Sequence, residues 1–95
     1  MASDPNFVDY VVDLLDPDLD ASSRRMFGEY GVYSGRKMFA VICDDRLFVK
    51  PTDGGRAFIG EVVEGIPYPG AKPRFLIEEK LEDREWLNEL VRITV

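Results

Sequence analysis

The sequence predicts a small α+β domain with two layers, in which helices cover a mainly antiparallel sheet. Three observations carry this prediction. Short apolar stretches separated by turn residues fill positions 24–50, which is typical of a strand meander. Apolar residues recur at helical spacing near both ends of the chain. The length of 95 residues suits a single domain, 1–95, with one core.

Three helices are expected, because three stretches bury one apolar face each. Ser3 or Asp4 can cap the first, and Pro17 ends it, since the residue before a proline avoids the helical region. The second contains several glycines and is expected to be short. In the third, Trp86 lies on the apolar face. The predicted helices span 5–15, 53–64 and 82–93.

About five strands complete the predicted order α-β-β-β-β-α-β-α. Turns are expected at Ser34-Gly35 and Asp44-Asp45. The last strand follows a proline and carries charges, which indicates a sheet edge. Three prolines make loop 65–73 irregular, and we expect it to be ordered only if Ile66 and Tyr68 dock on the body. The predicted strands are Arg24–Phe27, Tyr30–Tyr33, Lys37–Cys43, Arg46–Lys50 and Arg74–Glu78.

Composition excludes several classes of protein. No apolar stretch approaches the 18 residues of a membrane-spanning helix, and the acidic start does not resemble a signal peptide. There is no histidine, and the one cysteine, Cys43, lies in an apolar run where we expect it to be buried and inert. These features predict a cytoplasmic protein, and from the Met1 start we expect a complete chain, although the sequence does not distinguish this from an excised domain.

The net charge of −6 is unevenly distributed. Segment 21–60 holds seven basic and four acidic residues, which makes it net positive, whereas segment 1–20 has six aspartates and no basic residue. The simpler interpretation is that acidic helices lie beside a basic sheet. The alternative is a positive face for a partner.

Residues 24–50 also carry a family resemblance. The segments Arg24–Tyr33, Lys37–Ile42 and Arg46–Lys50 resemble the TfoX N-terminal domain family, which includes bacterial regulators of natural competence. Tyr68 before the proline-glycine loop and Trp86 in the last helix fit more loosely. The resemblance implies a fold similar to secretion chaperones, and it implies no catalytic residues.

The predicted function is therefore a non-enzymatic regulatory or adaptor domain that acts through protein–protein contacts. No catalytic residue, metal site or cofactor is predicted. The expected partner is an unidentified protein, and a homodimer is one form of such contact. The expected contact surfaces are strand Arg74–Glu78 and loop 65–73. The candidate binding residues are Arg24, Arg25, Gly28, Tyr30, Gly31, Lys50 and Tyr68.

The alternative function is nucleic-acid association through the basic central sheet. Guanidinium groups bind oxyanions bidentately, and such binding would weaken steeply with salt. On a strand, Arg24 and Arg25 face opposite sides, so only one shares a face with Met26. Gly28 and Gly31 could line a ligand groove, but a turn or bulge is the simpler explanation for both glycines. The residues of this alternative are Arg24, Arg25, Arg36, Lys37, Arg46 and Lys50.

Overall fold

Three helices pack on one side of a six-stranded antiparallel sheet in the computed structural model, which describes residues 2–95. The strand order across the sheet is β1-β2-β3-β4-β6-β5. The helices are α1 (Pro5–Asp13), α2 (Asp53–Ile59) and α3 (Arg84–Thr94), with a short 3-10 turn at Pro17–Leu19. The strands are β1 (Ala21–Met26), β2 (Glu29–Ser34), β3 (Lys37–Cys43), β4 (Arg46–Val49), β5 (Glu64–Gly65) and β6 (Arg74–Ile77).

The predicted α+β class is confirmed, with one strand more than expected. The additional strand, β5, corrects the prediction that Arg74–Glu78 is an edge. β5 pairs with β6, and the Leu76 N–H donates to the Val63 carbonyl over 2.8 Å, so β6 lies between two strands. The edges of the described sheet are β1 and the two-residue β5.

α1 and α2 begin where the sequence predicts, α3 begins two residues later, and all three helices differ from the prediction at their ends. Asp4 caps α1 by accepting from the Asn6 N–H, and the helix ends at Asp13 rather than residue 15. α2 ends early because Gly60 has φ +81°, a conformation that cannot continue a helix. α3 is shifted C-terminally from the predicted 82–93 and is capped by Asp83.

Two of the hairpin turns differ from the prediction. β1 begins at Ala21 rather than Arg24 and ends at Met26, so Phe27 belongs to the turn with Gly28 and not to the strand. The next turn is Gly35-Arg36 rather than Ser34-Gly35. Ser34 stays in β2, where its hydroxyl donates to the Leu19 carbonyl over 2.6 Å.

The main core lies between the helices and one face of the sheet. A bulge leaves Phe39 as an extra residue between Ala40, opposite Val32, and Met38, opposite Tyr33. Phe39 and Ala40 consequently both contribute to the main core. The largest fully buried side chains of this core are Phe39, Phe75, Ile42, Leu47, Leu87 and Leu90.

Candidate functional site

The helix-free face of the sheet carries a second, smaller apolar cluster. The strand register aligns Arg24, Gly31, Val41, Phe48 and Leu76 in one row across five strands. Directly paired residues share a face, and this row is not part of the main core. Buried Val41, Phe48 and the neighbouring Cys43 form the cluster, against which Met38 and Leu76 pack.

Segment 64–74 folds over part of this face and explains the burial there. β5 approaches so closely that a Cβ on Gly65 would lie 2.9 Å from a ring carbon of Phe48. Loop 65–73 is irregular, as the sequence predicts. Two of its apolar side chains are only partly covered by the body of the protein. Ile66 is 59% exposed and Tyr68 is 52% exposed.

A groove of about 500 Å³ lies beside this loop on the helix-free face. Its size falls within the range of about 300–1,000 Å³ that is common for binding clefts. Glu29 and Arg74 are the charged residues on its wall. The apolar wall is formed by Met26, Met38, Val41, Cys43, Tyr68 and Pro69.

Gly31 makes room for the two methionines of this groove. A Cβ at Gly31 would lie 2.8 Å from the sulfur of Met26 and 2.9 Å from the sulfur of Met38. Real Cβ atoms do not approach sulfur that closely, so the thioethers occupy the space that a side chain at position 31 would need. Gly31 lies inside β2, paired directly with Arg24 and Val41, so the turn-or-bulge interpretation is wrong for Gly31. Gly31 instead has a packing role in the groove, whereas Gly28 does form a turn.

Phe27 stands at the rim of the groove on the β1–β2 turn. Its side chain is 98% exposed. Both central residues of this turn are left-handed, with φ +51° at Phe27 and +81° at Gly28, as in a type I′ hairpin. Phe27 and Tyr68 also border a second hollow, of about 550 Å³, which reaches Ala2 and Asp44.

The surroundings of the groove shift the pKa of two of its side chains, Cys43 and Glu29. Burial raises the pKa of the Cys43 thiol, and the nearby Glu29 charge adds to this effect, so Cys43 stays neutral. Partial burial also acts to raise the pKa of Glu29. The N–H groups of Asp44 and Ser3, each 2.9 Å from a carboxylate oxygen, outweigh it, and the pKa of Glu29 lies below its ordinary value.

The predicted binding residues divide between several parts of the surface. Gly31 and Tyr68 line or support the groove, and Gly28 forms its rim turn. Tyr30 lines the groove but also packs against the main core. Lys50 lies elsewhere, in a separate hollow with Lys37.

Arg24 and Arg25 face opposite sides of β1, as the alternation of a strand requires. Arg24 shares the helix-free face with Gly31, and its guanidinium carbon lies 5.2 Å from the ring centre of Tyr33. Arg25 lies over the Tyr30 ring at 5.7 Å. Both guanidinium groups are thus placed by cation–π contacts on exposed positions.

The ion pairs of the described chain do not join the acidic helices to the basic sheet. They involve Arg56, Arg84 and Arg92, and none involves a basic residue of segment 24–50. Asp16 and Asp18 pair with Arg92 of α3 instead. The expected placement of acidic helices beside a basic sheet is thus not accompanied by ion pairs between the two among the described residues.

Three residues that shape the groove were missed by sequence reasoning: Phe27, Met26 and Met38. One local signal could have revealed Phe27, because a Phe-Gly pair between two short strands leaves the aromatic residue in the turn. The methionines carry no such signal, since their meeting depends on the register of three strands.

Two further features are absent from residues 2–95. No three His, Cys, Asp or Glu side chains there are grouped so that they could hold a metal ion. Among the same residues, no helix has the length and apolar character needed to cross a membrane.

Comparison with known proteins identifies the family. The model of the TfoX N-terminal domain matches residues 13–95. The chain belongs to the TfoX N-terminal domain family. It is also 39% identical over 94 residues to an "Uncharacterized 12.7 kDa protein in trpE 5'region" of Spirochaeta aurantia, covering 99% of this chain and 82% of that protein. The family expected from residues 24–50 is thus confirmed.

Proposed function

We propose that this TfoX N-terminal domain is a non-enzymatic regulatory module that binds another protein through the surface around Phe27. This binding surface comprises Phe27, the groove beside it, and the Tyr68-Pro69 segment of loop 65–73. The observation that carries the proposal is the 98% exposure of Phe27 on a left-handed turn.

The turn itself does not account for a phenylalanine. Type I′ hairpins favour Asn-Gly or Asp-Gly, because these residues adopt positive φ at low cost. A bulky residue there costs about 1 kcal/mol. The exposed ring of Phe27 recovers no burial in the monomer. Strained residues and exposed aromatic residues both concentrate at binding sites, and aromatic side chains are common anchors of protein interfaces.

The chemistry of the groove supports binding rather than catalysis. Glu29 is a carboxylate whose two oxygens already accept backbone N–H groups. Cys43 is a buried neutral thiol. Neither is poised as a base or nucleophile. A buried free thiol also fits the reducing cytoplasm, which remains the proposed location.

The surface proposed here differs from the two that the sequence suggested. β6 is internal and offers no free edge to a partner. Loop 65–73, the second of those surfaces, stays in the proposal, because Tyr68 and Pro69 line the groove together with Met26 of β1.

Affinity capture from native lysate tests the proposal with two matched variants. Phe27→Asn removes the exposed ring and suits the turn. Val63→Asn removes an apolar side chain that is 60% exposed and lies outside the groove. We expect wild type and Val63→Asn to retain the same protein after nuclease treatment, and Phe27→Asn to lose it. Equal capture by all three would refute the role of Phe27.

Nucleic-acid association is the second candidate, favoured because no basic residue of segment 24–50 forms an ion pair within residues 2–95. The register separates its residues, however: Arg46 pairs with Cys43 at one end of β4, and Lys50 bonds to Phe39 at the other. Titration with labelled RNA and DNA at low and moderate salt tests it, using an Arg24→Gln/Lys50→Gln variant. Tight binding that weakens steeply with salt and in the variant would place this candidate first.

A further inference from the structure

We infer that the groove receives Phe27 from a second copy of this chain, and that two copies thereby form a two-fold symmetric dimer. This inference rests on the proposed function and names the partner of the same surface. It is carried by three features of the described structure: an apolar groove, an apolar ring that stands free beside it, and their position on one surface.

The groove is complementary to an apolar occupant. Its wall is dominated by thioether, aliphatic and aromatic groups. Over residues 2–95, every buried side-chain nitrogen or oxygen atom has a hydrogen-bond partner, so no buried polar group awaits a polar ligand. An apolar group that enters would remove apolar surface on both sides from water. Glu29 on the wall already has both carboxylate oxygens hydrogen-bonded to backbone N–H groups.

Phe27 supplies such a group but does not fill the groove of its own chain. Its ring lines the rim while remaining 98% exposed. A two-residue turn between paired strands holds it there, since Met26 is paired directly with Glu29. The turn therefore holds the ring outward before a partner binds. Little backbone conformational entropy is lost on binding, which favours Phe27 as an interface anchor.

The position of the ring beside the groove favours a closed dimer. When a projecting group and its receptor lie on one surface, a two-fold axis lets each copy insert its ring into the other. Both contacts form in the same complex, so association stops at two copies. A ring and a groove on opposite sides of the molecule would instead produce an open chain.

The groove also matches the chemistry of a phenyl ring. Met26 and Met38 place two sulfur atoms over Gly31, and sulfur–aromatic contacts are favourable at about 5 Å. Standard interfaces cover about a tenth of a small protein's surface, which here is about 600 Å² of 5940 Å². This area is at the low end for stable complexes, so we expect a dimer whose population depends on concentration.

Sedimentation velocity over a wide concentration range tests the dimer. We expect wild type and Val63→Asn to pass from monomer to dimer over the same range of concentration. Phe27→Asn should raise the dissociation constant by more than about tenfold, because each Phe ring buried is worth at least a factor of ten. Unfolding followed by Trp86 fluorescence shows whether each variant is folded.

Complementation separates the proposed contact from a loss of folding. Tyr68→Glu places a charge in the groove wall at a half-exposed position while keeping Phe27. Each variant alone lacks both ring-in-groove contacts. A mixture of Phe27→Asn and Tyr68→Glu restores one of the two, because the intact ring of one copy can enter the intact groove of the other. We expect the mixture to associate more strongly than either variant alone.

Methyl NMR locates the contact in the groove. The methyl signals of Met26 and Met38 should shift with protein concentration, through the ring current of the partner's phenyl group, and stop shifting in Phe27→Asn. A wild type that stays monomeric overturns the inference, as does a dimer that Phe27→Asn leaves unchanged. If the protein is monomeric but affinity capture of a different protein is lost in Phe27→Asn, the proposed function stands and only the dimer is overturned. If that capture is also insensitive to Phe27, both are overturned.

Discussion

Two hairpin turns of the sheet share a left-handed backbone conformation but differ in their hydrogen bonds to the rest of the protein. Phe27-Gly28 and Asp44-Asp45 are both left-handed at both central positions. The aspartate turn is tied to the body. The Asp44 N–H donates to Glu29, the Asp45 N–H donates to the Ser3 hydroxyl, and the Asp45 carboxylate accepts from the Asp4 N–H, all over 2.8–2.9 Å.

The phenylalanine turn has no comparable support. Within the described chain, no side-chain hydrogen bond reaches Phe27 or Gly28, and the ring is almost fully exposed. Hydrogen bonds offset the backbone strain of the aspartate turn inside the monomer. The strain at Phe27 is not offset there, which is the pattern expected of a residue that is stabilised by a partner.

The largest expected effect is the loss of the Glu29 support. Glu29→Ala removes the acceptor of two backbone N–H groups and should lower the free energy of unfolding by about 2 kcal/mol, since hydrogen bonds to charged groups are strong but this site is partly exposed. Urea titration followed by Trp86 fluorescence measures it. An unchanged midpoint would mean that the aspartate turn holds without Glu29.

A pH series sharpens the same test. The folded-state pKa of Glu29 is lowered, so its carboxylate stabilises the fold above the unfolded-state pKa near 4.5, and this contribution disappears as the pH falls through the lower folded value. The stability difference between wild type and Glu29→Gln should therefore be largest at neutral pH and shrink in acid. A difference that grows in acid would contradict the assignment.

Asp45→Ala should have the next largest effect. It removes the carboxylate that accepts from the Asp4 N–H. It also leaves alanine, which has a Cβ but no polar side-chain group to bond the local backbone, at φ +56°. We expect a loss of about 1–2 kcal/mol in the free energy of unfolding. Asp45→Gly serves as the control, because it loses the hydrogen bond but relieves the backbone. If both variants lose the same amount, strain at this position is negligible.

Phe27→Asn should change stability in the opposite direction. Asparagine adopts positive φ more readily than phenylalanine, so we expect the free energy of unfolding to rise by about 0.5–1 kcal/mol. The same variant is expected to lose binding. Thermal and urea unfolding of dilute, monomeric protein measure the gain. A destabilised monomer would show that Phe27 makes contacts within its own chain.

The smallest effect is expected for Asp44→Asn. Both residues tolerate the left-handed conformation, and the carboxylate of Asp44 makes no hydrogen bond among the described residues. The stability should stay within about 0.5 kcal/mol of wild type. A loss comparable to that of Asp45→Ala would show that the charge of Asp44 contributes to the turn.

Local sequence was sufficient for much of the architecture. The apolar period and the capping residues indicate three helices, and Asp4, Thr52 and Asp83 do cap them. The alternation of strands and turns in segment 24–50 indicates the meander and carries the family resemblance. These features depend on residues within a few positions of one another, which is why the sequence alone displays them.

Tertiary structure decided the features on which the proposed function depends. The two-residue β5 is too short to leave a pattern, and its pairing makes β6 internal. The meeting of Met26 and Met38 over Gly31 requires three strands in register. The groove beside Phe27 includes Tyr68 and Pro69 of loop 65–73, which is distant in the chain. Each is a contact between distant segments, and such contacts are selected by the packing of the whole domain and not by local preference.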